Sequence, residues 1–145
     1  MLALKLNDNE VKAFMGLLLR EELFDGFDVR SVEISAGVHI SIDCGGEDGF
    51  SCWGEMRPLV HTIIKSGPKP RLVKIIFSHK AQQTVEIHPN AAALFLNLVY
   101  ENDNVSFTTA TAQKEFALDK THDATWDEWV MRFFQEKGLP VVSKI

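Results

Sequence analysis

Leu2, Leu4 and Leu6 alternate with Ala3 and Lys5, the two-residue period of a strand with one buried face. Val11, Phe14, Met15 and Leu18 then recur at helical spacing, which predicts a first helix over about 8–20, with Asn7 and Glu10 as a capping pair. Asp25 and Gly26, between Phe24 and Phe27, mark the turn out of it. Val32 and Ile34, then Val38, Ile40 and Ile42, flank Ala36-Gly37. Glycine tolerates the positive φ of tight hairpin turns, so two antiparallel strands are expected there. Asp43 to Gly49 reads as a glycine- and acid-rich loop. Met56, Leu59, Val60, Ile63 and Ile64 form the stripe of a second helix. Pro58 lacks an N–H and fits a first turn, so its regular part is expected to begin late. Lys65-Ser66-Gly67-Pro68 ends it.

The remainder reads mostly as strand. Val73, Ile75 and Phe77 alternate with Lys74 and Ser78, and Val85 and Ile87 with Thr84, Glu86 and His88. Pro89 to Ala93 is expected to cross over. Leu94–Tyr100 and Val105–Thr111 flank the turn Glu101-Asn102-Asp103-Asn104, and Glu115–Leu118 is expected as a last short strand. Trp126, Trp129, Val130, Phe133 and Phe134 form the stripe of a closing helix that Gly138 and Pro140 stop. The element order is thus β-α-β-β-α-β-β-β-β-β-α. Hairpins dominate, so an α+β domain is expected: a largely antiparallel sheet of about 7–8 strands, covered on one face by three helices.

Composition narrows the class. The chain has 145 residues with 46% hydrophobic and 24% charged positions, close to the globular average, so disordered and disulfide-stapled classes are excluded. One domain over 1–145 is expected, with no internal repeat or linker. No apolar run approaches the roughly 18 residues of a membrane span. MLALKLNDNE lacks the charged lead and apolar core of a signal peptide, so a cytoplasmic location is expected. Cys44 and Cys52 should then stay reduced, and their separation matches no common zinc spacing. A site of Cys44, Cys52, His39 and His61 can be drawn, but buried thiols are the simpler reading.

The stretches LALKL…VKAFMGLLL, SCWGEMRPLVHTIIKSGPKP and ALFLNLVYENDNVSFTTATAQKEFALDKTHDATWDEWVMRFF resemble a family of bacterial proteins described only as a domain of unknown function. Its most specific parts are the blocks 53–67 and 126–134. That resemblance implies one bacterial domain and supplies no activity or site residue. The element order is also similar to one domain of a DNA sliding clamp, a likeness of topology without a shared motif.

Charge is distributed unevenly. Net charge is −5, yet residues 57–80 contain no acid and six bases, which leaves −11 for the rest. Those bases are Arg57, Lys65, Lys69, Arg71, Lys74 and Lys80, joined by His61 and His79. Arg57, His61 and Lys65 are four apart and share one helix face, which Lys12 and Arg20 of the first helix can extend. A solvated helix face needs no partner. A polyanion would nonetheless be oriented by such a face through its phosphates.

Chemical motifs are sparse. KSGPKPR leaves a helix and enters a strand, and Pro68 and Pro70 remove two N–H donors, so it is not a phosphate loop. Asp119, Thr121, His122, Asp123 and Thr125 sit where a helix must start, so Asp123, or Thr125 with Glu128, is expected to cap it. His39 and His88 are expected to face solvent. Trp53 has the weakest case for the core and is the candidate for stacking on bases. The sequence therefore points to a non-enzymatic interaction module without cofactor. Its binding residues are expected to be Arg57, His61, Lys65, Lys69, Arg71 and Lys74, and its partner nucleic acid or an acidic protein. The alternative is a small hydrolase or metal-dependent enzyme using His61, His122 and nearby carboxylates, which convergence in one pocket would favour.

Overall fold

A computed structural model describes residues 1–46 and 49–143. The elements follow the hydrophobic periods. Strand β1 (Ala3–Leu6) buries Leu4 and Leu6, and helix α1 (Val11–Arg20) buries Val11, Phe14, Leu18 and Leu19. Asn7 makes no side-chain cap; a 3-10 turn at Asp8–Glu10 closes instead through the Asn7 carbonyl. Strands β2 (Asp28–Ser35) and β3 (His39–Asp43) form the expected hairpin, with Gly37 at φ +83° in its turn. Within the acid- and glycine-rich loop, a two-residue strand β4 (Gly45–Gly46) pairs with β5 (Gly49–Cys52), while residues 47 and 48 of the loop lie outside the described residues.

Helix α2 (Trp53–Lys65) begins earlier than Pro58 suggested. The Trp53 N–H bonds the Phe27 carbonyl at 3.1 Å and its indole is buried, so the helix start is fixed from outside. Of the expected stripe, Val60 is buried and Met56, Ile63 and Ile64 are half-buried, but Leu59 faces water. Strand β6 (Leu72–Ser78) follows. Residues 84–88 are not a strand: a 3-10 turn at Ala81–Gln83 runs into one helical turn, α3 (Thr84–Ile87), where the Thr84 hydroxyl bonds the Lys80 carbonyl at 3.1 Å. The crossing segment is shorter than expected, because β7 (Ala91–Glu101) already starts at Ala91.

Asn102 and Asp103 turn β7 into β8 (Asn104–Gln113), both with the positive φ that two-residue hairpin turns need. Residues 115–118 are also not a strand. Asn90 bonds both the N–H and the carbonyl of Glu115, and Gln113 does the same for Ala117, so side chains take the backbone groups a strand neighbour would have taken. Helix α4 (Thr121–Glu136) buries His122, Trp126, Val130 and Phe134. A last strand β9 (Val141–Ser143), which the alternation was too short to announce, pairs with β1.

All strands join one open antiparallel sheet in the order β4-β5-β2-β6-β7-β8-β1-β9, with β3 beside β2. Register aligns Val32, Ile75, Leu98, Phe107 and Leu4 in one buried row. The three longer helices cover that face. Phe14 of α1 meets Phe107 edge-on at 5.6 Å, Phe134 of α4 meets it at 4.8 Å, and Trp53 of α2 meets Phe77 at 5.3 Å. Trp129 and Phe133 are half-buried and pack on Phe27 at 5.9 and 5.2 Å, holding α4 to the turn after α1.

Candidate functional site

The fold separates the six expected binding residues. Parity of β6 decides Lys74: Val73, Ile75 and Phe77 point to the helices, so Lys74 points away, in the row Glu33, Lys74, Val99, Ser106 and Lys5 on the open face. It cannot share a surface with α2. Arg57 does lie on α2, but its Nε and Nη2 each donate at 3.0 Å to an oxygen of Asp25. The two side chains are 17% and 24% exposed. Gly54 makes room for this pair, since a Cβ there would sit 3.2 Å from Asp25 Oδ2. The hydrogen bond, reinforced by the charges of Asp25, Glu22 and Glu21, raises the Arg57 pKa further. The helix face Arg57–His61–Lys65 therefore begins with a cation already neutralised.

Lys69 is paired too. Its Nζ donates to Asp103 Oδ1 at 2.7 Å, and the Tyr100 hydroxyl donates to the same oxygen at 2.9 Å. These bonds hold the Asp103 carboxyl below its ordinary range and raise the Lys69 ammonium; burial, then the same carboxylate, raises Tyr100. Lys80 lies 3.8 Å from Asp28. Lys65 and Arg71 are exposed and His61 half-exposed.

Beside these residues lies a cleft of about 580 Å³ between α1, the C-terminal end of α2 and the β7–β8 turn. Its floor is Val11, Met15, Leu19, Ile64, Val73 and the Tyr100 ring, and its rim carries Asp8, Lys12, Lys69 and Asp103. The lining follows from the sequence locally: Val11, Met15 and Leu19 are four apart and share one stripe of α1. A shallower hollow of about 200 Å³ continues past Lys69 and Pro70 to Arg71.

The histidines do not converge as the enzyme alternative requires. His122 is buried in the first turn of α4, 3.6 Å from Asp123 Oδ1 and 5.9 Å from the ring of half-buried His88; neither contact involves His61. Asp123 accepts from the Thr111 hydroxyl, and the N-terminus of α4 is served by Asp119, which accepts the Thr121 N–H at 2.9 Å. The N-cap position is Lys120, which makes no side-chain cap bond, so neither Asp123 nor Thr125 caps the helix and Asp119 serves its first N–H instead. Titratable groups gather elsewhere, in a polar hollow of about 420 Å³ lined by Asp28, Cys52, Glu55, Ser78, His79 and Lys80 among others. His79 is 8% exposed, and Nδ1 has no hydrogen-bond partner among the described residues. Its ring stands edge-on to Trp126 and Trp129 at 5.6 and 5.1 Å. Nothing local announces this grouping, because it draws on β2, β5, α2, β6 and the turn beyond.

Trp53 is fully buried and unavailable for stacking on bases. His39 is exposed as expected and bonds Ser35 at 3.0 Å. Cys44 is buried, which pushes its thiol pKa up, and Cys52 is half-buried. Among the described residues no group of three or more His, Cys, Asp or Glu is placed to hold a metal, and no helix is long and apolar enough to cross a membrane.

The chain belongs to a family of unknown function (DUF5721), which matches residues 17–141. No curated protein and no solved structure matches it, so the topological likeness to a sliding-clamp domain is not shown.

Proposed function

We propose that the protein is a non-enzymatic binding module for an anionic partner, held where α2 runs into β6. The observation that supports this is the set of cations left in and beside the basic run 57–80 once its internal pairs are removed. Lys65 and Arg71 are exposed with no acidic partner among the described residues, and Lys12 stands on the neighbouring cleft in the same condition. Arg57 and Lys74, expected from sequence as contacts, drop out of the surface, and Lys69 joins only by leaving Asp103. The residues outside 57–80 carry a net −11, which disfavours a polyanion over most of the remaining surface and makes this end the expected place of docking.

Nucleic acid is the first partner to test. Three phosphate contacts predict a log–log salt slope of about −3 on duplex DNA, since each releases roughly 0.9 of a counterion. Fluorescence anisotropy with single- and double-stranded DNA and RNA over a salt series measures it. Lys65→Glu with Arg71→Glu should flatten the slope and weaken all sequences alike, because phosphate contacts carry no base information. No binding at low salt, or binding indifferent to the double variant, removes nucleic acid and leaves an acidic protein surface as the partner.

A further inference from the structure

The cleft beside the basic surface has a chemistry of its own. Its volume of about 580 Å³ falls within the range of roughly 300–1,000 Å³ that small-molecule sites occupy. Aliphatic side chains make its floor, and the one hydroxyl there, on Tyr100, is already bonded to Asp103. Both strands that contribute to it, β6 and β7, are paired on both sides, so no free strand edge faces the cleft. A peptide laid in it would bury amides without partners; an alkyl chain has none to bury.

The rim then selects the charge. Asp8 is paired with Lys5 at 3.3 Å, and Asp103 with Lys69 at 2.7 Å. Lys12 is the rim charge that remains without an ionic partner among the described residues. It is exposed, one helical position from Val11 on the floor and three from Met15. An apolar trough with one unmatched ammonium at its edge is complementary to a ligand with an apolar body and one negative head.

We propose that this cleft binds a medium-chain monocarboxylate, its alkyl chain on Val11, Met15, Leu19 and Ile64 and its carboxylate on Lys12. This goes beyond the polyanion reading and does not depend on it, although Lys12 serves both. The head group forms a charge-assisted hydrogen bond at the water boundary, and the chain displaces water from the floor.

Isothermal titration calorimetry with dodecanoate and dodecyltrimethylammonium below their micelle range, and with dodecanol below its solubility limit, tests it. Dodecanoate should bind one per chain and more tightly than the other two. Lys12→Glu, an exposed change that leaves the fold intact, should weaken dodecanoate by about tenfold or more, the loss expected for one hydrogen bond to a charged group, and leave dodecanol unchanged. Ile64→Glu, checked for folding by its thermal melt, should abolish both. Lys65→Glu with Arg71→Glu should spare dodecanoate while weakening polyanion binding and flattening its salt slope, so the two readings fail separately. Absence of saturable dodecanoate binding overturns the proposal, as does equal affinity for acid and alcohol. Indifference to both Lys12→Glu and Ile64→Glu overturns it too, because the ligand would then sit elsewhere.

Discussion

Removing either half of the Arg57–Asp25 pair decides whether the first cation of the α2 face belongs to the fold or to a partner. Arg57→Met keeps the length of the stem and deletes the guanidinium; Asp25→Asn keeps the shape and deletes the charge. Exposed ion pairs are worth about 0–1 kcal/mol, while breaking a buried one costs about 3–5 kcal/mol. At 17% and 24% exposure, with both bonds at 3.0 Å, this pair stands between those limits. Each single change should therefore cost about 2 kcal/mol. For a chain of this size that lowers Tm by roughly 4–8 °C. The double variant should lose less than the sum, with a coupling energy of about 1–2 kcal/mol, because the first change already orphans the second partner. Thermal and urea melts of the four proteins close the cycle, and anisotropy on DNA runs beside them. Arg57→Met should leave the salt slope of the parent intact. A coupling energy within about 0.3 kcal/mol of zero, together with a DNA affinity that falls as far as in Lys65→Glu, would refute the assignment of Arg57 to the fold.

How far the sequence speaks depends on how local each feature is. The amphipathic stripes of α1 and α4 and the Asn102-Asp103 turn are local, and all three are legible. The alternation over 84–88 is equally local yet misleads, because five residues satisfy a strand and a single helical turn alike; the Thr84 hydroxyl on the Lys80 carbonyl breaks the tie. Charge is the least local property. The run 57–80 records where cations sit, but their partners Asp25 and Asp103 lie 32 and 34 positions away, so only the fold shows which remain free. Lys74 is a different case. Its orientation was readable, since the inward alternation of Val73, Ile75 and Phe77 forces it to the other face, and a count of charge overlooks that parity. The cleft and the His79 hollow are invisible before folding, as each is assembled from several elements.

Two further perturbations probe the core that carries these surfaces. Trp126→Phe deletes the indole N–H that bonds the Phe95 carbonyl at 2.9 Å and leaves a gap in a fully buried site, so urea melts should show a loss of about 2 kcal/mol or more, whereas half-buried Trp129→Phe should cost less. Titration of His79 gives the pH test. Burial holds its pKa below the ordinary 6.5, opposed by a hydrogen bond that the ring makes to the Lys80 backbone and by the charges of Glu86 and Asp28. Well above pH 6.5 the imidazole is neutral in both folded and unfolded chains, and its contribution is fully present. As pH falls below that value, the unfolded chain takes up a proton that the folded one refuses, so stability drops until the lower folded pKa is reached and then levels. Asp103 and Asp119 do not mimic this, because their carboxyls are held below the ordinary carboxylate range and protonate only in stronger acid. Urea melts from pH 7.5 to 5 should therefore show the parent losing stability relative to His79→Gln, a side chain that is neutral throughout. Parallel curves would mean that His79 accepts its proton as readily folded as unfolded, and that the hollow beside Trp126 and Trp129 is open to water.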